Sequence, residues 1–316
     1  MSASTSTPKT QGDISGGKTI GVDTTSTSHL APLSFSSNTM VKVAVAGGTS
    51  NIGRHIAEEI LATKKHTVVV LSRSPGHREL EALGAQIAAV DYADPSSLAA
   101  ALAGVHTVIS VLSIFDPAPQ LALLDASVKA GVTRFAPSEW AARSIPNNPI
   151  EWYNVKWDVA EAVRRSGLEY TIFENGVFMN YLAGGTPGLG HLKPVEFIWN
   201  VEKCTAQIPG DGSTGLVFTR AEDVGKFVAA SLDLNKWPEY SQMRGDRKTL
   251  NEVVKLAEET KGEFLCIIYS ETQLILVPQA NLSKSSIFLR QSLRKLSRTK
   301  VPLPGLGSAR NAISTS

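Results

Sequence analysis

The sequence predicts an α/β protein with a doubly wound parallel sheet, and three observations predict it. A β-branched apolar run, Val41-Lys42-Val43-Ala44-Val45-Ala46, stops at Gly47-Gly48-Thr49-Ser50-Asn51-Ile52-Gly53. An amphipathic helix pattern starts there, with Ile52, Ile56, Ile60 and Leu61 on one side. Short apolar runs and helical periods then alternate along the chain, the order that gives right-handed βαβ crossovers.

The first strand, 41–46, runs into a tight turn, and helix 52–63 follows. Glycines 47, 48 and 53 let backbone N–H groups approach a pyrophosphate, which the positive end of the helix favours. The second strand, 67–72, ends in Ser72-Arg73-Ser74, with His77 and Arg78 close behind. An NAD site usually carries Asp or Glu at this position, bonded to the ribose 2′-hydroxyl. A guanidinium instead suits a 2′-phosphate, so the expected cofactor is NADPH. Helix 77–83 and strand 86–90 come next. Asp94-Pro95 opens helix 96–102, with Asp94 placed to cap and Pro95 at the first turn. Strand 106–112, helix 118–130, strand 133–136, helix 151–166 and strand 169–173 complete the alternation. Further helices are expected near 221–232 and 249–259.

Ligands of such sheets lie outside the carboxyl ends of the strands. That places Ser110 to Ile114, Pro137 to Trp140 and Glu174 to Phe178 around the expected site. Tyr153 and Lys156 stand three apart early in helix 151–166, on one face. A lysine buried beside an oxidised nicotinamide loses proton affinity, which suits proton transfer near neutral pH. Each residue alone also fits an ordinary structural role.

Residues 1–39 hold 17 Ser or Thr and a single aromatic, Phe35, so they read as a disordered extension. They have neither the arginines of a transit peptide nor the apolar core of a secretory signal. From Thr272 onward there are seven basic residues and no acidic one, so 271–316 reads as an atypical basic tail. Leu289, Leu293 and Leu296 are spaced there as in a basic amphipathic helix, with a solvated tail as the plainer reading. A net charge of +2 gives no push toward nucleic acid, and no apolar run is long enough for a membrane span. Two cysteines without metal or redox spacing suit a reducing, cytoplasmic setting.

The chain resembles the NmrA-like and isoflavone reductase-like branch of the atypical short-chain dehydrogenases, most of all its fungal members. The matching pieces begin with Ala46 to Gly53, Val70 to Arg73 and Phe135 to Trp140. They continue with Lys156, Ser166 to Thr171 and Asn175 to Tyr181, in the family's order across residues 41–270. The resemblance implies an NADPH-binding Rossmann domain at 40–175 and a smaller substrate region at 176–270, with helix 221–232 returning to the core. It implies that Lys156 is the catalytic lysine and Arg73 the 2′-phosphate arginine. Gly47, Thr49, Ser50, Asn51, Ile52 and Gly53 would meet the cofactor, along with Ser110, Pro137 and Phe178. Two departures stand out: Ser50 replaces the family's middle glycine, and the likeness ends beyond Ser270. The reading that results is an NADPH-dependent reductase of a small aromatic or polyketide-like metabolite. Lys156 would be its proton donor, Tyr153 a second candidate, and Phe178, Tyr181, Leu182 and Trp199 the substrate wall. Gly184 to Gly190 reads as a lid hinge or a plain surface loop. The alternative is an NADP-binding redox sensor that acts on a protein partner without turnover.

Overall fold

The computed structural model describes residues 40–148, 151–195 and 198–270. The proposals for 1–39 and 271–316 lie outside the described residues.

The first half alternates strictly. In order come β1 (Lys42–Ala46), α1 (Asn51–Ala62), β2 (Thr67–Ser72), α2 (Arg78–Ala82), β3 (Gln86–Ala89) and α3 (Pro95–Ala101). Then follow β4 (Thr107–Ser110), α4 (Ala118–Lys129), β5 (Arg134–Ala136), α5 (Glu151–Arg165) and β6 (Glu169–Tyr170). The six strands form one parallel sheet in the order β3-β2-β1-β4-β5-β6. The chain leaves β1 toward one edge and returns through β4 toward the other. A crevice opens where the direction reverses, at the carboxyl ends of these two strands. Asp94 caps α3 as expected, its Oδ1 accepting from the Ser96 N–H at 2.9 Å.

The second half holds β7 (Ile172–Glu174), β8 (Val177–Phe178), β9 (Trp199–Asn200), β10 (Thr205–Pro209) and β11 (Gly215–Thr219). After these come α6 (Ala221–Ser231), β12 (Tyr240–Gln242), β13 (Asp246–Thr249), α7 (Leu250–Lys261) and β14 (Cys266–Ser270). The strand expected at 169–173 is split at Thr171: β6 pairs with β5, and β7 pairs in parallel with β12. The remaining strands form two three-stranded sheets, β14-β10-β9 and β13-β11-β8.

Three apolar clusters hold these layers. Ile52, Ile56 and Ile60 of α1 meet Val224 and Val228 of α6 on one face of the sheet. Leu98, Leu102, Leu123 and Val163 cover the other face. Ile198, Trp199, Ile208 and Phe218 pack on Leu250, Val253 and Val254 of α7 in the third. Each fully buried aliphatic side chain contributes about 1.5–3 kcal/mol. Helix α6 thus packs on α1 over that face of the sheet. Trp199 packs on Phe218 with ring centroids 5.8 Å apart, so it is a core residue of the third cluster.

Candidate active site

The glycine turn is close-packed. Gly47 has φ +78°, and a Cβ there would lie 2.5 Å from the Val111 carbonyl oxygen. A Cβ on Gly53 would run into the Gly47 carbonyl. Backbone from β1, from the start of α1 and from the residue after β4 thus meet without intervening side chains. Ser50 caps α1 in extended backbone, φ −156°, a conformation open to any residue, so replacing the family's glycine costs no backbone strain here. Thr49 is half-buried beside it. Asn51 opens α1 at φ +51°, and its Oδ1 accepts from the Lys193 N–H at 2.9 Å. Ile52 points into the first cluster, so only its backbone can face the turn.

Arg73 is exposed just past β2. The turn that carries it is fixed, since Ser72 Oγ lies 2.8 Å from His77 Nε2 and 2.7 Å from the Ser74 carbonyl.

At the ends of β4 and β5 the backbone is pinned by side chains. Trp140 Nε1 donates to the Ser110 carbonyl at 2.9 Å, and Ser138 Oγ to the Leu112 carbonyl at 2.9 Å. The Ser138 N–H donates to Gln120 Oε1 at 2.6 Å, and the Pro137 carbonyl accepts from the Glu139 N–H. The Ser110 hydroxyl and Asn175 Oδ1 are buried with no hydrogen-bond partner among the described residues. Phe178 in β8 is buried, edge-on to Tyr181 at 5.9 Å.

Lys156 projects from α5 into this layer and is only 4 % exposed. Its Nζ donates to the Glu139 carbonyl at 3.1 Å. The ammonium also lies 5.2 Å from the Tyr153 ring centre and 5.5 Å from that of Trp152, and the two rings stack at 4.1 Å. The shared face expected for Tyr153 and Lys156 is therefore present. Burial lowers the Lys156 ammonium to about 8, although the nearby Glu139 charge opposes the shift. Burial pushes the Tyr153 phenol up to about 12, despite a hydrogen bond from the Ala142 backbone.

The sequence reading missed three supports. Trp152 precedes Lys156 by one helical turn, a spacing that could have flagged it. Gln120 and Ser144 reach the site only through tertiary contact, so no local signal marks them. A 3₁₀ turn at Met179–Ala183 precedes the run 184–190 and another lies within it at Pro187–Leu189, with Asn180 Nδ2 donating to the Gly188 carbonyl at 3.0 Å. His191 ties the end of this run to α1, its N–H donating to His55 Nε2 at 3.1 Å.

A glycine turn at the topological switch point of an open parallel sheet defines a dinucleotide-binding Rossmann fold. The NmrA-like family matches residues 39–279, and the chain belongs to that family. It is 34% identical to Oxidoreductase BOA1 of Botryotinia fuckeliana (strain B05.10) over 237 residues, 71% of this chain and 77% of that protein. Pinoresinol reductase 1 of Arabidopsis thaliana is 30% identical over 68% of both chains. The solved structure of AtPrR2 with NADP+ and (+)pinoresinol superposes with a TM-score of 0.57 at 27% identity, covering 73% of this chain and 79% of that one.

Proposed function

We propose that this NADPH-dependent oxidoreductase reduces a small aromatic metabolite, with Lys156 as the proton donor. The observation that carries the reading is Lys156 itself, a buried ammonium held on the Glu139 carbonyl after β5, with its proton affinity lowered to about 8. The pinoresinol named for its relatives supports an aromatic substrate and a place in secondary metabolism.

The residues present fit the cofactor. Gly47 and Gly53 let the turn close tightly against Val111 and the start of α1, and the N-terminus of α1 favours the charge of a phosphate. Arg73 would hold the 2′-phosphate. The unpartnered Ser110 hydroxyl and Asn175 Oδ1 are polar groups that a ligand in the crevice would satisfy. Bound NADPH supplies the hydride.

Lys156 gives its Nζ proton to the substrate atom on which negative charge develops, and takes a replacement from solvent. Its lowered affinity matters because transfer is fastest from an acid matched to the working pH. Tyr153, pushed up to about 12, is the weaker acid and serves the ammonium through its ring face. Phe178 and Tyr181 offer an apolar wall. Residues 40–175 would carry the cofactor and 176–270 the substrate. A proton donor has no use in a sensor, so the buried lysine supports turnover.

The test is NADPH consumption with a panel of aromatic ethers, enones, ketones and imines, with product identified by mass. Steady consumption with one class supports the reading. Tight NADPH binding without turnover of any class would return the protein to the sensor reading.

A further inference from the structure

Glu139 sits between two anchored neighbours, Ser138 and Trp140, in the loop after β5. The Trp140 ring also stacks on Phe173 at 5.3 Å. The backbone at 139 therefore has little freedom, and its carbonyl is the acceptor that receives Lys156 Nζ. The Glu139 side chain is 1% exposed, and its Oε2 accepts from Ser144 Oγ at 2.8 Å. A carboxyl this buried needs a partner, or it takes up a proton. The groups that act on it electrostatically are Lys156 and Arg164 of α5, which favour its charge, and Glu174 of β7, which opposes it. Arg164 is itself paired with Glu161 and Glu239, and Glu174 with Arg143, so Lys156 is the cation whose charge Glu139 answers.

We propose that Glu139 is the positioning residue for Lys156: its carbonyl aims the ammonium, and its carboxylate, held by Ser144, keeps the proton on it. This rests on the reading of Lys156 as proton donor. Burial raises the Glu139 carboxyl and lowers the Lys156 ammonium, while each charge offsets part of the other's shift. The two groups therefore titrate as a pair.

The test is the pH dependence of kcat in the reductive direction. For the wild type, kcat falls as pH rises through about 8, where Lys156 loses its proton. Glu139→Gln keeps the shape and removes the charge. It is expected to move that midpoint down by roughly one pH unit, with the low-pH plateau changed much less. Glu139→Asp keeps the charge and should restore the wild-type midpoint, whatever it does to the plateau. Ser144→Ala leaves the acid in place but removes its hydrogen bond, and should move the midpoint in the same direction by less. It serves if Glu139→Gln does not fold. A purely structural role for Glu139 would lower the whole profile and leave the midpoint unmoved in these variants, which would overturn the proposal. Lys156→Met separates the two readings. If its residual rate still falls near pH 8, Lys156 is not the titrating group, and the proton-donor reading fails. If that limb vanishes while Glu139→Gln and Ser144→Ala titrate like wild type, only the role of Glu139 fails.

Discussion

Arg73 stands exposed on a turn already fixed by Ser72 and His77, so its guanidinium is available to a 2′-phosphate with little reordering. A charge-assisted hydrogen bond is worth about 1.5–3 kcal/mol, roughly ten- to a hundredfold in affinity. Arg73→Ala should weaken NADPH binding by that factor and leave NADH nearly untouched. Titration of both cofactors checks it, and a variant that keeps the wild-type preference would remove Arg73 from the site. Lys156 makes a two-sided prediction. Its affinity is lower in the folded chain, about 8, than the ordinary 10.5, so the unfolded chain binds more protons between those values. Stability at this residue therefore rises with pH from about 8 to 10.5, and below 8 the buried charge costs about 3 kcal/mol. Lys156→Met removes that cost, forfeits a hydrogen bond of about 1 kcal/mol and leaves the buried Glu139 carboxyl without the cation that answers it. It should abolish the rise in stability between pH 8 and 10.5 while lowering kcat by about 10²–10⁴. A variant that keeps that rise and is still active would contradict both halves.

Helices α1 and α6 touch through Gly225, where a Cβ would lie 2.8 Å from the His55 carbonyl oxygen. Two effects oppose each other in Gly225→Ala. Alanine is the better helix former by about 1 kcal/mol. The added methyl meets backbone oxygen, which cannot rotate away, and overpacking costs about 1–3 kcal/mol. The clash wins on these magnitudes, so Gly225→Ala should lower Tm by several degrees; an unchanged or raised Tm would show that α6 can slide on α1. Helix α1 also anchors residues 191–193, the His191 N–H donating to His55 Nε2 and the Lys193 N–H to Asn51 Oδ1. Elements of the first half were legible because each has its own periodicity: the runs read as 41–46, 67–72 and 118–130 match β1, β2 and α4. The strands after residue 175 passed unread. β8 and β9 are two residues each, and β13 is Asp-Arg-Lys-Thr, too short or too polar to show alternation. Partners from distant sequence make these strands, as Phe218 does for Val177.

Among the described residues, three histidines have proton affinities depressed chiefly by burial. His55 lies against His191, Glu58 and Glu222, His66 against Asp233 and Lys65, and His106 against Arg134, Glu169 and His66. Each holds fewer protons folded than unfolded below the ordinary value of 6.5. Their stability contribution is therefore complete above pH 6.5 and is lost as pH falls through their lowered values. Tm should drop between pH 7 and pH 5, and His66→Asn should flatten that slope. A flat Tm over this range would sink the argument. His66 and His106 stand at the amino ends of β2 and β4, opposite the crevice, so this loss is separate from the titration of Lys156 near pH 8.

The sequence by itself determined the alternation of strand and helix, the glycine turn before α1, the basic end of β2 and the shared face of Tyr153 and Lys156. Each of these is written within a dozen neighbouring residues, where backbone period and residue chemistry suffice. Only the tertiary structure decided that the Glu139 carbonyl receives Lys156, that the Trp152 ring faces the ammonium, that Trp199 is core and that β12 pairs with β7. Burial and proton affinity belong to a neighbourhood assembled from β5, β7 and α5, and no single segment of the chain contains that neighbourhood.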